Sequence, residues 1–250
     1  MKINNFIINM FKGMGIGIAN VIPGVSGGTM AIVFGIYDKL IEALANFITA
    51  SIKKKVEYII FIAPIIIGAV VGILGFARIV EFLYANYPLY TKLIFVVLVL
   101  PSIPIVVKGE RIKEIKNIIY FCLGMVFVLT FFMLVHKFSA EDMSFQIRKT
   151  FDTSYGIKLL FCGSLAGGAM IIPGISGSLL LLALGEHQNV IYYISNLDFL
   201  PLGYFGVGVI LGIALFTKVI NYFLKRYRSL TLFFILGIVV ASLIEMLINI

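Results

Sequence analysis

Charged side chains are scarce in this chain of 250 residues: only 13% are Asp, Glu, Lys or Arg, whereas 61% are apolar. A soluble domain needs roughly 25% charged residues to cover its surface. The composition therefore excludes a soluble globule, and the apolar length is enough for roughly five to eight membrane-embedded segments. The apolar runs are long and do not alternate in polarity, which excludes an outer-membrane barrel.

Cysteines and enzyme signatures are also few. Cys122 and Cys162 both lie inside apolar segments, and we interpret them as packing residues. The sequence contains no Ser, His and Asp constellation, no clustered metal ligands and no Walker loop. We therefore expect a protein that is not an enzyme and that carries no metal or cofactor.

The net charge of +8 comes from short basic clusters between apolar runs, without interleaved aromatic residues. The positive-inside rule of membrane proteins explains such clusters better than nucleic-acid binding does. We therefore expect the bilayer as a partner and no nucleic acid.

Seven apolar runs organise the chain. Residues 13–35 and 163–185 are each interrupted by a proline and several glycines, which break a helix. Because broken backbone is not tolerated against lipid, each is predicted to form a helix–break–helix hairpin buried among the other spans. The five uninterrupted runs are predicted to cross the bilayer as helices; they are residues 56–83, 92–107, 117–135, 202–224 and 230–248.

An internal repeat relates the two interrupted runs. Residues 21–27, VIPGVSG, recur as residues 171–177, IIPGISG, at an offset of 150. Further along, the offset becomes 140, at which Arg78 matches Lys218. The chain is therefore predicted to consist of two repeats, residues 1–107 and 136–250, joined by a basic loop and a linking span within 108–135.

The basic clusters predict how the chain is oriented. Lysine and arginine are concentrated in 53–55, 108–116 and 225–228, which should be cytoplasmic, and are absent from 84–90 and 186–201, which should lie outside. The first hairpin then enters from the cytoplasmic side and the second from the outer side. The predicted fold class is an all-α polytopic membrane protein with two inverted-topology repeats, each carrying a re-entrant broken-helix hairpin. This architecture is typical of alternating-access transporters, and the alternative is a scaffold with duplicated spans.

The two break motifs are predicted to hold an anion. A new helix begins after each sharp turn, so its free N–H groups and the small hydroxyls point into the break, which suits phosphate. The alternative is a kink that only allows close helix packing. The candidate phosphate ligands are Gly24, Ser26, Gly27, Gly28, Thr29, Gly174, Ser176, Gly177 and Ser178.

Charged residues within apolar runs add further candidates. Arg78 and Lys218 occupy equivalent positions of the two repeats, and opposing repeats would bring both cations toward one phosphate, although long side chains also snorkel to the interface. Asp38, Glu42 and Glu81 are candidates for proton coupling. The alternative for these three acids is an ordinary interfacial carboxylate.

The sequence resembles a known membrane family at both motifs. Residues 17–42, GIANVIPGVSGGTMAIVFGIYDKLIE, and residues 169–185, AMIIPGISGSLLLLALG, are similar to the PopT family, the polyprenyl-phosphate transporters of bacteria and archaea. The resemblance places the family's loop motifs on Pro23 to Thr29 and on Pro173 to Ser178, and its acidic residue on Asp38. Lys218 stands where arginine is more usual, so bidentate phosphate binding is not expected there.

The resemblance implies a function. The expected activity is translocation of undecaprenyl phosphate from the outer to the cytoplasmic leaflet of the plasma membrane, which recycles this lipid carrier for cell-envelope synthesis. A cavity open sideways to lipid is expected for the polyprenyl tail, in a monomer or a homo-oligomer. The alternative is a small-anion channel or exchanger that uses the same broken-helix site.

Overall fold

The computed structural model describes residues 3–20, 26–107, 109–141, 148 and 150–248, and all secondary structure in these ranges is helical. In chain order the helices are α1 (Ile3–Asn20), α2 (Gly27–Val33), α3 (Tyr37–Asn46), α4 (Ile52–Asn86), α5 (Pro88–Val99), α6 (Ser102–Val106), α7 (Ile115–Glu141), α8 (Thr153–Ile171), α9 (Gly177–Ala183), α10 (His187–Asn196), α11 (Phe199–Arg226) and α12 (Arg228–Ile248).

Within the described residues, five helices are long and apolar enough to cross a membrane. They are α4 over Ile52–Phe76, α7 over Ile115–Val135, α8 over Thr153–Ile171, α11 over Phe199–Arg226 and α12 over Arg228–Ile248. Large apolar side chains are exposed on them, for example Leu74, Met133 and Ile210. Such a surface suits lipid and not water, so the chain is a multi-pass helical membrane protein.

One predicted span differs from the structure. Residues 92–107 form two shorter helices, α5 and α6, rather than a single crossing helix. Pro101 has no N–H with which to continue the hydrogen-bond ladder, so α5 ends just before it. The N–H of Ile103 instead donates to the Leu100 carbonyl at 3.2 Å and starts α6.

In the second half, helix α8 ends at the proline-glycine motif, at Ile171, and α9 begins after it at Gly177. In the first half, the described part of α1 runs to Asn20 and α2 begins at Gly27, while residues 21–25 lie outside the described residues. Both first arms are longer than predicted, because α1 starts at Ile3 and α8 at Thr153. As a result, α8 alone is long enough to cross a bilayer.

The two halves make the same close helix contacts. Helix α1 packs against α4, and α8 packs against α11, with glycines at each crossing. A Cβ atom at any of these glycines would fall on the backbone of the partner helix, so only glycine allows the approach. The paired positions are Gly13 and Gly163, Gly17 and Gly167, Gly68 and Gly208, and Gly72 and Gly212.

Matching turns occur in both halves as well. Gly35 and Gly185 end their short helices with φ of 65° and 69°, a left-handed conformation that glycine adopts without strain. Tyr87 and Tyr227 connect the next helices with φ of −136° and −135°. The repeat found in the sequence therefore specifies the same local backbone twice.

Candidate functional site

The first break motif is capped by its own serine. Ser26 is the N-cap of α2, and its Oγ accepts a hydrogen bond of 3.2 Å from the N–H of Gly28. Ser26, Gly28 and Thr29 are buried, and Gly27 is half-buried. Gly24 lies outside the described residues. One of the free N–H groups expected at this helix start is therefore already bound within the motif.

The two motifs meet in the interior, at what we call the break junction: residues 26–29 packed against residues 171–174. The N–H of Gly174 donates to Thr29 Oγ1 at 2.8 Å, and Ser26 Oγ donates to the Ile172 carbonyl at 3.3 Å. Nearby, the hydroxyl of Tyr37 donates to the Ile171 carbonyl at 3.1 Å. The structure thus brings together motifs about 150 residues apart, and in this state protein groups bind the hydroxyls of Ser26 and Thr29.

The second motif has two serine hydroxyls that are more accessible than those of Ser26 and Thr29. Gly174 has φ of 82°, and Ser176 caps α9 without a side-chain hydrogen bond to that helix. The hydroxyls of Ser176 and Ser178 lie 2.7 Å apart at an exposed position, next to the buried Gly177. These two hydroxyls are accessible, in contrast to Ser26 and Thr29.

The two candidate cations lie away from the break junction. Arg78 on α4 and Lys218 on α11 are both exposed. Lys218 lines a cavity of about 450 Å³ together with Asn46, Lys225 and Arg226, and Arg78 is not among the residues around it. Within the described part of the chain, no hydrogen bond or ion pair joins either cation to the motifs. The structure therefore does not bring them to one site in this state.

An apolar cavity, which we call the lateral groove, leads to the break junction. It has a volume of about 650 Å³, and its lining includes Ile172 and Pro173 of the break junction and the neighbouring Tyr37. Its walls come from α7, α11 and α12, with Tyr120, Phe127, Phe216, Val219, Ile220, Phe223, Tyr227, Leu230, Thr231, Phe234, Ile235 and Ile238 along them. Phe127, Val219 and Phe223 are exposed, so the groove is open on the apolar flank of the protein.

Two of the three candidate acids have partners. Asp38 accepts a hydrogen bond of 2.7 Å from Arg228, and Glu42 accepts one of 3.3 Å from the hydroxyl of Tyr58. Glu81 belongs to α4, but its side chain lies outside the described part of the structure. Asp38 is therefore an ion-pair partner of a residue 190 positions away, which no local sequence pattern links to it.

A buried polar cluster at the start of α10 was missed as a site by sequence reasoning. The Glu186 carboxylate is almost fully buried and lies 2.6 Å from Lys158 Nζ. It also accepts hydrogen bonds from the hydroxyl of Tyr155 at 2.6 Å and from Asn189 at 2.8 Å. Glu186 follows the hairpin and reads as a loop residue, because its partners on α8 are too far away in sequence to form a pattern.

Next to this cluster, His187 has no hydrogen-bond partner for its buried Nδ1 within the described residues. Burial lowers the pKa of His187 below its usual value of 6.5, because the charged imidazolium loses water. At the start of α8, Asp152 accepts from the N–H of Tyr155 at 2.9 Å, and this bond, together with Arg148, lowers the pKa of the Asp152 carboxyl. Both groups lie at the end of the molecule that the sequence places outside.

Long apolar helices, proline-glycine motifs that meet in the interior and an apolar groove beside their junction together define a polytopic membrane protein. Residues 16–249 match the undecaprenyl phosphate translocase-like family (VCA0040-like), and the chain belongs to it. The resemblance found in the sequence is thereby confirmed.

Two curated relatives carry the same name, polyprenyl-phosphate transporter. The Vibrio cholerae serotype O1 protein is 27% identical over 252 residues, which covers 97% of this chain and 78% of the relative. The Staphylococcus aureus protein is 30% identical over 247 residues, covering 94% of this chain and 84% of the relative. No solved structure matches the chain. Both relatives are named as transporters and not as enzymes, in agreement with the expectation from the sequence.

Proposed function

We propose that this chain translocates a polyprenyl phosphate, undecaprenyl phosphate in particular, from the outer to the cytoplasmic leaflet of the plasma membrane. The observation that carries the proposal is the lateral groove, which has exposed apolar residues along it and includes residues of the break junction in its lining. A polyprenyl tail is a long apolar chain and can pack against the apolar side chains of such a groove. A small anion gains nothing from contact with apolar side chains. Family membership and the names of the two relatives support the same lipid class.

The phosphate is proposed to cross at the level of the break junction. The exposed hydroxyls of Ser176 and Ser178 offer the first contacts. Two hydrogen bonds must break before the phosphate can bind deeper groups of the break junction. One joins Ser26 to the Ile172 carbonyl, and the other joins the Gly174 N–H to Thr29. Phosphate binding in the centre is therefore tied to a rearrangement between the two motifs.

Arg78 and Lys218 are proposed to receive the phosphate near the two membrane surfaces. Each lies eight residues before the end of its helix, at Asn86 and Arg226 respectively. In an inverted repeat these helix ends face opposite sides of the membrane. One cation then serves each face, and proton exchange at Asp38, Glu42 or Glu81 is the proposed coupling.

Contacts between charged loops support the inverted arrangement. Arg228 lies against Asp38 and Glu110, all three at the end predicted to be cytoplasmic. Lys158 and Glu186 pair at the end predicted to be outside. No described ion pair mixes groups assigned to opposite sides, which is what re-entrant hairpins entering from the two faces require.

The test is a proteoliposome assay that follows leaflet movement of a labelled polyprenyl phosphate and leakage of a small anion in parallel. We expect lipid movement without anion leak, and its loss in the double variant Arg78→Gln, Lys218→Gln. Val219→Trp should also slow lipid movement because it fills the groove, whereas Leu215→Trp, on an exposed part of α11 outside the groove, should not. Anion flux without lipid movement would establish a channel or exchanger instead, and neither activity in any gradient would point to a scaffold.

A further inference from the structure

A second cavity adjoins the lateral groove and contains a cation. This cavity, which we call the Arg228 pocket, has a volume of about 200 Å³ and is lined by Ile32, Gly35, Asp38, Val106, Arg228 and Leu232, besides the two residues that it shares with the groove. The shared residues are Tyr37 and Ile235, so the two cavities are neighbours across these side chains. An apolar groove beside a small charged pocket has the shape of a lipid with one anionic headgroup.

Two carboxylates hold Arg228 in place. Its Nη2 lies 2.7 Å from Asp38 Oδ2, and its Nε lies 3.6 Å from Glu110 Oε1. The side chains of Arg228 and Asp38 are about half exposed, at 54% and 47%. Arginine presents a planar fork of donors that matches phosphate as well as carboxylate, so a phosphate monoester can take the place of these acids.

The pairing of Arg228 with Asp38 is not repeated in the other half of the chain. At the repeat offsets, Arg228 corresponds to Pro88 and Asp38 corresponds to Gln188. This end of the molecule also carries the basic clusters 108–116 and 225–228, which the positive-inside rule places in the cytoplasm. The Arg228 pocket therefore lies at the end of the molecule that is predicted to be cytoplasmic.

We propose that Arg228 binds the phosphate of the lipid at the cytoplasmic end of its route, while the tail lies in the lateral groove. The ion pairs of Arg228 with Asp38 and Glu110 break when the phosphate binds, and they form again when the lipid dissociates. The carboxylates thus act as competitors that keep product binding weak enough for release. This inference rests on the proposed function, since it assumes that a polyprenyl phosphate reaches the groove.

The test compares binding of polyprenyl phosphate and of unphosphorylated polyprenol to purified protein in nanodiscs. We expect Arg228→Gln to weaken polyprenyl phosphate binding by about tenfold or more and to leave polyprenol binding unchanged, with Arg228→Lys in between. Asp38→Asn should strengthen polyprenyl phosphate binding several-fold, because one competitor is removed. Arg111→Gln is the matched control and should change nothing, since the one ion pair that this exposed arginine makes among the described residues is with Glu114 in the same loop.

Further comparisons show which phosphate compound the pocket binds. They also distinguish a failure of this inference from a failure of the proposed function. Competition by inorganic phosphate or phosphatidate as effective as that by polyprenyl phosphate would overturn the assignment to a carrier lipid. If the wild-type protein moves the lipid and the Arg228→Gln variant binds it as tightly as wild type, this inference is overturned and the proposed function is not. Equal loss of polyprenol and polyprenyl phosphate binding in Arg228→Gln would assign the residue to the fold, and wild-type protein that neither binds nor moves polyprenyl phosphate would overturn the proposed function itself.

Discussion

Thr29 shows how a single hydroxyl joins the two halves of the chain. Its Oγ1 is buried and accepts the Gly174 N–H at 2.8 Å. In Thr29→Val the shape is kept but the buried N–H loses its partner, which should destabilise the fold by about 1–3 kcal/mol. Thermal unfolding in detergent measures this change.

Two control variants make the Thr29 experiment specific. Thr29→Ser keeps the hydroxyl and should lie close to wild type. Thr49→Val removes an exposed hydroxyl that donates to the Asn46 carbonyl, and should have little effect. If Thr29→Val were as stable as wild type, the bond to Gly174 would contribute nothing to the folded state.

At this scale the sequence identifies residues better than it identifies their partners. The repeated motif marks Ser26, Thr29 and Ser176 because glycine, proline and small hydroxyls at two related positions are visible in one dimension. Nothing local shows that Thr29 binds Gly174, or that Arg228 pairs with Asp38, since such contacts depend on how distant helices pack.

Glycines at the helix crossings decide how closely the long helices approach. A Cβ atom at Gly212 on α11 would fall on the carbonyl of Ser164 on α8, whereas one at Gly206 of the same helix would meet nothing within 4 Å. Gly212→Ala should therefore destabilise the protein by about 1–3 kcal/mol through overpacking. Gly206→Ala should instead be neutral or stabilising by up to about 1 kcal/mol, because alanine is the better helix former.

Unfolding of both variants in the same detergent is the measurement. A Gly212→Ala protein as stable as Gly206→Ala would show that the α8 and α11 backbones are farther apart than the structure has them. Gly72→Ala on α4 is the equivalent change in the first half, against the carbonyl of Met14, and should behave as Gly212→Ala does.

The elements themselves were largely predictable, and their interruptions less so. Four long apolar runs became α4, α7, α11 and α12, because length and hydropathy are enough to specify a spanning helix. The run 92–107 failed as a single helix because hydropathy does not register the missing N–H of Pro101. The first arms of both hairpins extend beyond the prediction because their polar starts lower the apolar signal.

For the whole molecule, the arrangement of the ends can be tested directly. The proposed topology places Lys54 and Arg111 in the cytoplasm and Leu89 and Phe199 outside. In a cysteine-free background, an impermeant maleimide added to intact cells should label Leu89→Cys and Phe199→Cys, because these side chains are exposed. Lys54→Cys and Arg111→Cys should react only after permeabilisation. Labelling of Lys54→Cys and Leu89→Cys from the same side would contradict the inverted repeat, since α4 would then not cross.

The hydrogen bonds of the break junction set an energy scale for the resting protein. Three of them link the first half to residues 171–174, through Ser26, Thr29 and Tyr37. At about 0.5–1.5 kcal/mol each, opening all three requires roughly 1.5–4.5 kcal/mol. A second conformation that lacks them would then be populated at roughly 0.05–7% in the empty protein. A bound lipid phosphate that forms hydrogen bonds with the freed groups would lower this free-energy difference. Exchange between the two conformations should therefore be rare without lipid and frequent when lipid is bound.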